Sequence, residues 1–120
     1  MKILRKAAFL AVPPGALFAS GDRWHFGGLE VKGDTIDLDD EPVGYWSRSL
    51  EWIESDGNTG DERDHFIRLD KMLAEGVCFP LNDSEDKTLP VEDDTLFLIY
   101  EDADLDALIA LATAAKVQRA

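Results

Sequence analysis

From Leu96 to Tyr100 the chain is apolar at every step. A run with no polar side suits a central strand covered on both faces. Directly after it, Leu105, Leu108, Ile109, Ala112 and Ala115 recur at the spacing of one helix face, which predicts a closing helix with a buried stripe. Acidic residues Asp102, Asp104 and Asp106 at its start and Lys116 and Arg119 near its end complement the helix dipole.

Upstream the pattern alternates. Residues 1 to 12 read as a short amphipathic helix or an irregular lead-in, Pro13-Pro14-Gly15 as a turn, and Ala16 to Ala19 as a first strand. From Trp24 to Ile36, Phe26, Leu29 and Val31 alternate with Glu30 and Lys32, predicting a half-buried strand whose apolar side faces the core. Gly33-Asp34 reads as a turn, Thr35 to Leu38 as a short returning strand, and Asp39 to Pro42 as a charged loop. Tyr45 to Ile53 alternates again, with Trp46, Arg48, Leu50 and Trp52 on one side and Tyr45, Ser47 and Ser49 on the other. After the polar loop from Glu54 to Gly60, Phe66, Leu69 and Leu73 mark a helix beginning near Asp61. Gly76 is placed as the left-handed residue after its end. Val77 to Leu81 is extended and apolar, whereas Asn82 to Asp94 reads as an acidic loop with no strand pattern. The order β-β-β-α-β-α predicts one α+β domain over residues 1–120, a mainly antiparallel sheet of about four strands packed by two helices.

Charge changes the picture more than any motif does. The 25 Asp and Glu against 12 Lys and Arg give a formal net charge of −13, which repels nucleic acid and anionic membranes and favours a protein partner with a basic surface. Pairing of two copies of the chain stays open. The lone Cys78, in the apolar context Val77-Cys78-Phe79, forms no disulfide within the chain and is expected to be a buried, inert thiol in a reducing cytoplasm. The basic, apolar start of the chain is broken by Pro13-Pro14-Gly15 after too short an apolar run for an ordinary secretion signal.

The candidate chemistry is sparse. Asp102-x-Asp104-x-Asp106 opens like a calcium loop, but Ala107 and Thr113 stand where glycine and glutamate are needed, and Asp56-x-Asn58-x-Gly60 closes on Ile67. One cysteine and the separated His25 and His65 do not make a usual zinc set. No Gly-x-Ser-x-Gly elbow or phosphate-binding glycine loop occurs. Glu30-Val31-Lys32, with Asp22 or Asp34 as a second carboxylate, has the spacing seen on metal-dependent nuclease strands, and equally that of an ordinary solvent-facing strand. The reading is therefore of a non-enzyme with no cofactor and no metal.

What remains is acidity. The candidate partner-binding residues are Asp37, Asp39, Asp40, Glu41, Asp56, Asp83, Glu85, Asp86, Asp93 and Asp94, with Trp46 as an aromatic anchor beside them. A solvated, solubilising surface accounts for the same acids.

The segments Pro14-Gly15-Ala16-Leu17-Phe18-Ala19, Phe26 through Thr35, Met72 through Gly76 with Phe79-Pro80-Leu81-Asn82-Asp83, and Asp93 through Leu105 resemble short acidic proteins of unknown function encoded by tailed bacteriophages and prophages. The likeness departs over Asp40 to Leu50, where Glu41-Pro42-Val43-Gly44-Tyr45-Trp46 replaces an Asn-Asp-Phe-like start to the strand. The resemblance implies an accessory phage gene acting in the host cytoplasm. By class it implies binding to a host or phage protein, as in anti-CRISPR or anti-restriction inhibitors of the DNA-mimic type. A structural or assembly module without an inhibitory role is the alternative, and a metal-dependent nuclease the third.

Overall fold

The computed structural model describes residues 1–51, 62–78 and 81–118. Its strands are β1 (Lys2–Arg5), β2 (Leu17–Gly21), β3 (Glu30–Leu38), β4 (Glu41–Glu51), β5 (Asn82–Thr88) and β6 (Leu96–Ile99). Its helices are α1 (Lys6–Leu10), α2 (Glu62–Glu75) and α3 (Asp102–Gln118). All six strands join one antiparallel sheet in the order β1-β6-β2-β3-β4-β5. The class is α+β, with six strands and three helices in place of the expected four and two.

Strand β6 lies inside the sheet, as its apolar run requires, between β1 and β2. Alternation places Phe97 and Ile99 on one face, where both are buried, and Leu96 and Leu98 on the other, where they are half-buried. Among the described helices α1 alone packs on the sheet, and it lies on the first face. It sets Phe9 and Leu10 against Phe18, Tyr45, Val91, Phe97 and Ile99. The core is an aromatic cluster, with Phe9 in ring contact with Phe18, Tyr45 and Phe97.

Several expectations are corrected. The lead-in is a strand followed by one short helix, because Lys2 to Arg5 pairs with Ile99 to Leu96. Gly33-Asp34 is a bulge within β3, where the pairing with β4 shifts register between Lys32 and Thr35. Thr35 to Leu38 therefore continues β3, and Glu41 and Pro42 already belong to β4. Asn82 to Thr88 is a strand after all. At the sheet edge its backbone is held by β4 alone, so its side chains need no apolar alternation.

The sidedness of β3 is the reverse of the expected one. Val31 is 39% exposed, opposite Leu17 and Arg48 on the open face, whereas Lys32 is 1% exposed beneath α1, opposite Ser47. The Lys32 amine donates to the Thr35 hydroxyl at 2.8 Å and to the Gly33 carbonyl at 3.2 Å, and it lies 5.7 Å from the centre of the Phe9 ring. The Thr35 hydroxyl in turn donates to the Leu10 carbonyl at 2.7 Å, tying the bulge to α1.

The helices differ most from expectation. Helix α2 ends as predicted, with Gly76 at φ +66°, but Phe66 and Leu73 on its apolar side are exposed. Helix α3 has no buried residue, and neither helix packs substantially on a strand among the described residues. Along the predicted stripe Leu105 and Leu108 are half-buried, while Ile109, Ala112 and Ala115 are exposed. The radius of gyration, 17.0 Å, exceeds the roughly 14 Å of a compact chain this long, in keeping with helices that stand off the sheet. Cys78 is exposed, not buried, because α2 and the residues after it lie outside the core.

Candidate acidic interface

The turn between β3 and β4 is two residues long, with Leu38 paired to Glu41 across it. Both turn residues have positive φ, Asp39 at 52° and Asp40 at 65°, the backbone of a type I′ hairpin. Aspartate tolerates this region better than most residues with a side chain, since its short carboxylate hydrogen-bonds locally. The geometry projects Asp37, Asp39, Asp40 and Glu41 from the end of the hairpin, all exposed.

A second acidic segment is brought beside the start of β4. Val91 is buried in the core and its amide donates to the Val43 carbonyl at 2.9 Å, so the segment after β5 is pinned beside the start of β4. The Thr95 amide then donates to the Glu92 carbonyl at 3.2 Å, closing a turn with Glu92, Asp93 and Asp94 exposed. Asp93 and Pro42 share the wall of one shallow cleft with Arg5, Lys6, Ala7 and Leu10. The Lys6 amine reaches Asp93 at 3.1 Å across it. Residues about fifty positions apart, Pro42 and Asp93, thus share one cleft edged by two basic side chains, while Asp94 lines another with Arg5, Asp22, Arg23 and Trp24.

The other candidates lie elsewhere. Trp46 is on the open face, with the Lys87 amine 5.7 Å from its ring centre, and it lines a cleft with Pro14, Gly33, Asp34, Arg48 and Glu85. Glu85 shares that open face, while Asp86 points to the covered one, as successive residues of a strand must. Asp83 is in β5, opposite Leu50. Asp56 and Trp52 are outside the described residues. His25 sits in the turn after β2, not in a strand, beside Asp22 at 3.7 Å. The amides of Trp24 and His25 donate to the Asp22 carboxylate and hold it below its usual pKa.

A polar row runs under the covered face that sequence reading did not assign to the interior. Ser47 is buried, and its hydroxyl donates to Glu30 at 2.9 Å. Burial raises the Glu30 carboxyl above its usual pKa, an effect that the Ser47 hydrogen bond opposes and Asp86 adds to. Burial lowers the Lys32 amine. Tyr45, raised chiefly by burial, shares hydrogen bonds with Thr88 and Ser20. The signal was present in Tyr45-x-Ser47-x-Ser49, the polar side of β4 that carries a buried tyrosine. The second carboxylate sought for Glu30 is not where expected, for Asp22 is occupied by its own turn and Asp34 is exposed on the bulge. Among the described residues no three His, Cys, Asp or Glu stand together to hold a metal ion, and no helix is long and apolar enough to cross a membrane.

No protein-family model matches the chain, and no curated protein or solved structure matches it.

Proposed function

We propose that this is an accessory protein of a phage or prophage that binds a basic surface of a host or phage protein through its acidic loops, the β3–β4 hairpin foremost. A nucleic-acid-directed defence complex of the CRISPR or restriction kind is the class of target. The observation that supports the reading is the exposure of Asp37, Asp39, Asp40 and Glu41 on one tight hairpin, with Asp93 brought beside Pro42 at its base through the pinning of Val91 on β4. Carboxylates on a tight turn and on an anchored segment are held at the surface with little conformational freedom left to lose, which favours binding to an array of cations. Such a contact is long-ranged and screened by salt. A pull-down from bacterial lysate at rising salt tests it. Recovery of a nucleic-acid-binding complex at low salt that is lost at moderate salt supports the reading, and capture that is indifferent to salt opposes it.

The uncovered apolar helix α3 favours a second reading, an assembly module without inhibitory function. Deletion of the gene from its phage separates the two. Loss of particles follows from the assembly role, and loss of growth only on defended hosts from inhibition.

A further inference from the structure

We infer that two copies of this chain pair by reciprocal docking of α3 on the open face of the partner's sheet. In a chain in which 31% of residues are charged, Ala107 to Val117 contains a single charged side chain, Lys116, and no carboxylate. A helix that is apolar nearly all round belongs in an interior. Yet Ile109, Leu111 and Val117 are 64%, 71% and 68% exposed, and no residue of α3 is more than half-buried, Leu105 and Leu108 being the most covered of its leucines.

The same molecule carries a surface of the matching kind. On the sheet face away from α1, pairing aligns exposed Ile3 with half-buried Leu98, and half-buried Leu17 with exposed Val31. Leu17, Leu29, Val31 and Leu50 line a hollow there, with Arg48 and Ser49 at its side. No described helix covers this face. The five strands that carry it, β1, β6, β2, β3 and β4, span about 19 Å at about 4.8 Å apart, and the largely apolar part of α3 from Leu105 to Val117 is about 20 Å long at about 1.5 Å per residue.

The chain's own α3 is held away from that face. Only Tyr100 and Glu101 separate it from β6, and the Tyr100 amide still donates to the Leu17 carbonyl at 3.0 Å. At the helix start the Asp104 carboxylate accepts from the Glu101 amide at 2.8 Å and pairs with the Met1 ammonium at 2.9 Å. These ties fix the direction in which the helix leaves the sheet. Reciprocal docking by a two-fold operation satisfies both surfaces at once and leaves no open end. With a helix about 12 Å across, each docked α3 hides roughly 500 Å² counted on both sides, so the pair reaches the roughly 1,000 Å² that a specific dimer needs.

This pairing and the acidic interface respond to salt in opposite directions. Two molecules of like net charge repel, so screening strengthens an apolar dimer while it weakens binding to a basic partner. The test is sedimentation velocity of the full chain from micromolar to sub-millimolar concentration at low and high salt. Companion variants are Ile109→Glu on the helix and Val31→Glu on the sheet, both exposed positions, with circular dichroism to confirm folding. The expected result is a species of twice the 13.3 kDa chain mass that is favoured by salt and abolished by either variant. A wild-type chain that stays monomeric throughout overturns the inference. A dimer that survives Val31→Glu but not Ile109→Glu overturns docking on the sheet in favour of helix pairing.

Discussion

The ring of Phe9 lies on that of Phe97 with centroids 3.9 Å apart and planes 2° from parallel, and both side chains are fully buried. Phe9 is on the short α1 and Phe97 on the interior strand β6, so this stack fastens α1 to the sheet. The same Phe9 ring meets Phe18 and Tyr45 at 4.7 and 5.1 Å. Phe9→Ala would leave a cavity at the centre of the core and is expected to cost about 3–5 kcal/mol, read as a lower midpoint in urea unfolding.

The hairpin turn separates stability from binding. Asp39 and Asp40 both occupy the left-handed region, where asparagine followed by glycine is preferred. Asp39→Asn with Asp40→Gly is expected to raise stability by about 1 kcal/mol in denaturant unfolding, through relief of backbone strain. The same double variant removes two charges from the acidic hairpin, so recovery of a basic partner falls while the fold gains.

Glu30 gives the sheet a pH signature. Its carboxyl is raised by burial, so the folded state binds the proton more tightly than the unfolded chain does. Stability contributed by that proton is present at low pH and lost as pH rises through the window between the ordinary value of 4.5 and the raised one. Glu30→Gln is therefore expected to be more stable than wild type at pH 7 and to lose that advantage below pH 4.5, as thermal melts across pH would show.

Lys32 has the opposite titration. Its amine is lowered by burial, so the unfolded chain binds the proton more tightly, and stability rises as pH climbs through the lowered value toward the ordinary 10.5. Lys32→Met keeps the buried stem beside Phe9 without the charge and is expected to match or exceed wild-type stability at neutral pH. Lys32→Ala, which also loses the packing, is expected to be clearly less stable. Equilibrium unfolding of the two variants checks this.

Much of the fold was legible where side chains carry it. The apolar run Leu96 to Tyr100 announced an interior strand, Tyr45-Trp46-Ser47-Arg48 announced the two sides of β4, and Gly76 announced the end of α2. Strand β5 was not legible, because an edge strand of polar residues is held by backbone hydrogen bonds that leave no hydrophobic period. The sidedness of β3 was misread for a related reason. Once one face of a sheet is left open, apolar Val31 can stand outside and charged Lys32 inside, with the choice made by the pairing of Leu17 with Val31 and by the bulge at Gly33-Asp34. The acids of the candidate interface were each visible in the sequence. Their grouping was not, since the meeting of Asp93 with Pro42 depends on Val91 being pinned to Val43.

Charge reversal at these acids tests the account most directly. A variant with lysine at Asp37, Asp39, Asp40, Glu41, Asp93 and Asp94 is compared with wild type in capture from bacterial lysate, bound proteins being identified by mass spectrometry and folding checked by circular dichroism. The prediction is that wild type retains nucleic-acid-binding proteins at low salt and that the folded variant retains none of them. Capture of the same proteins by both chains would contradict it.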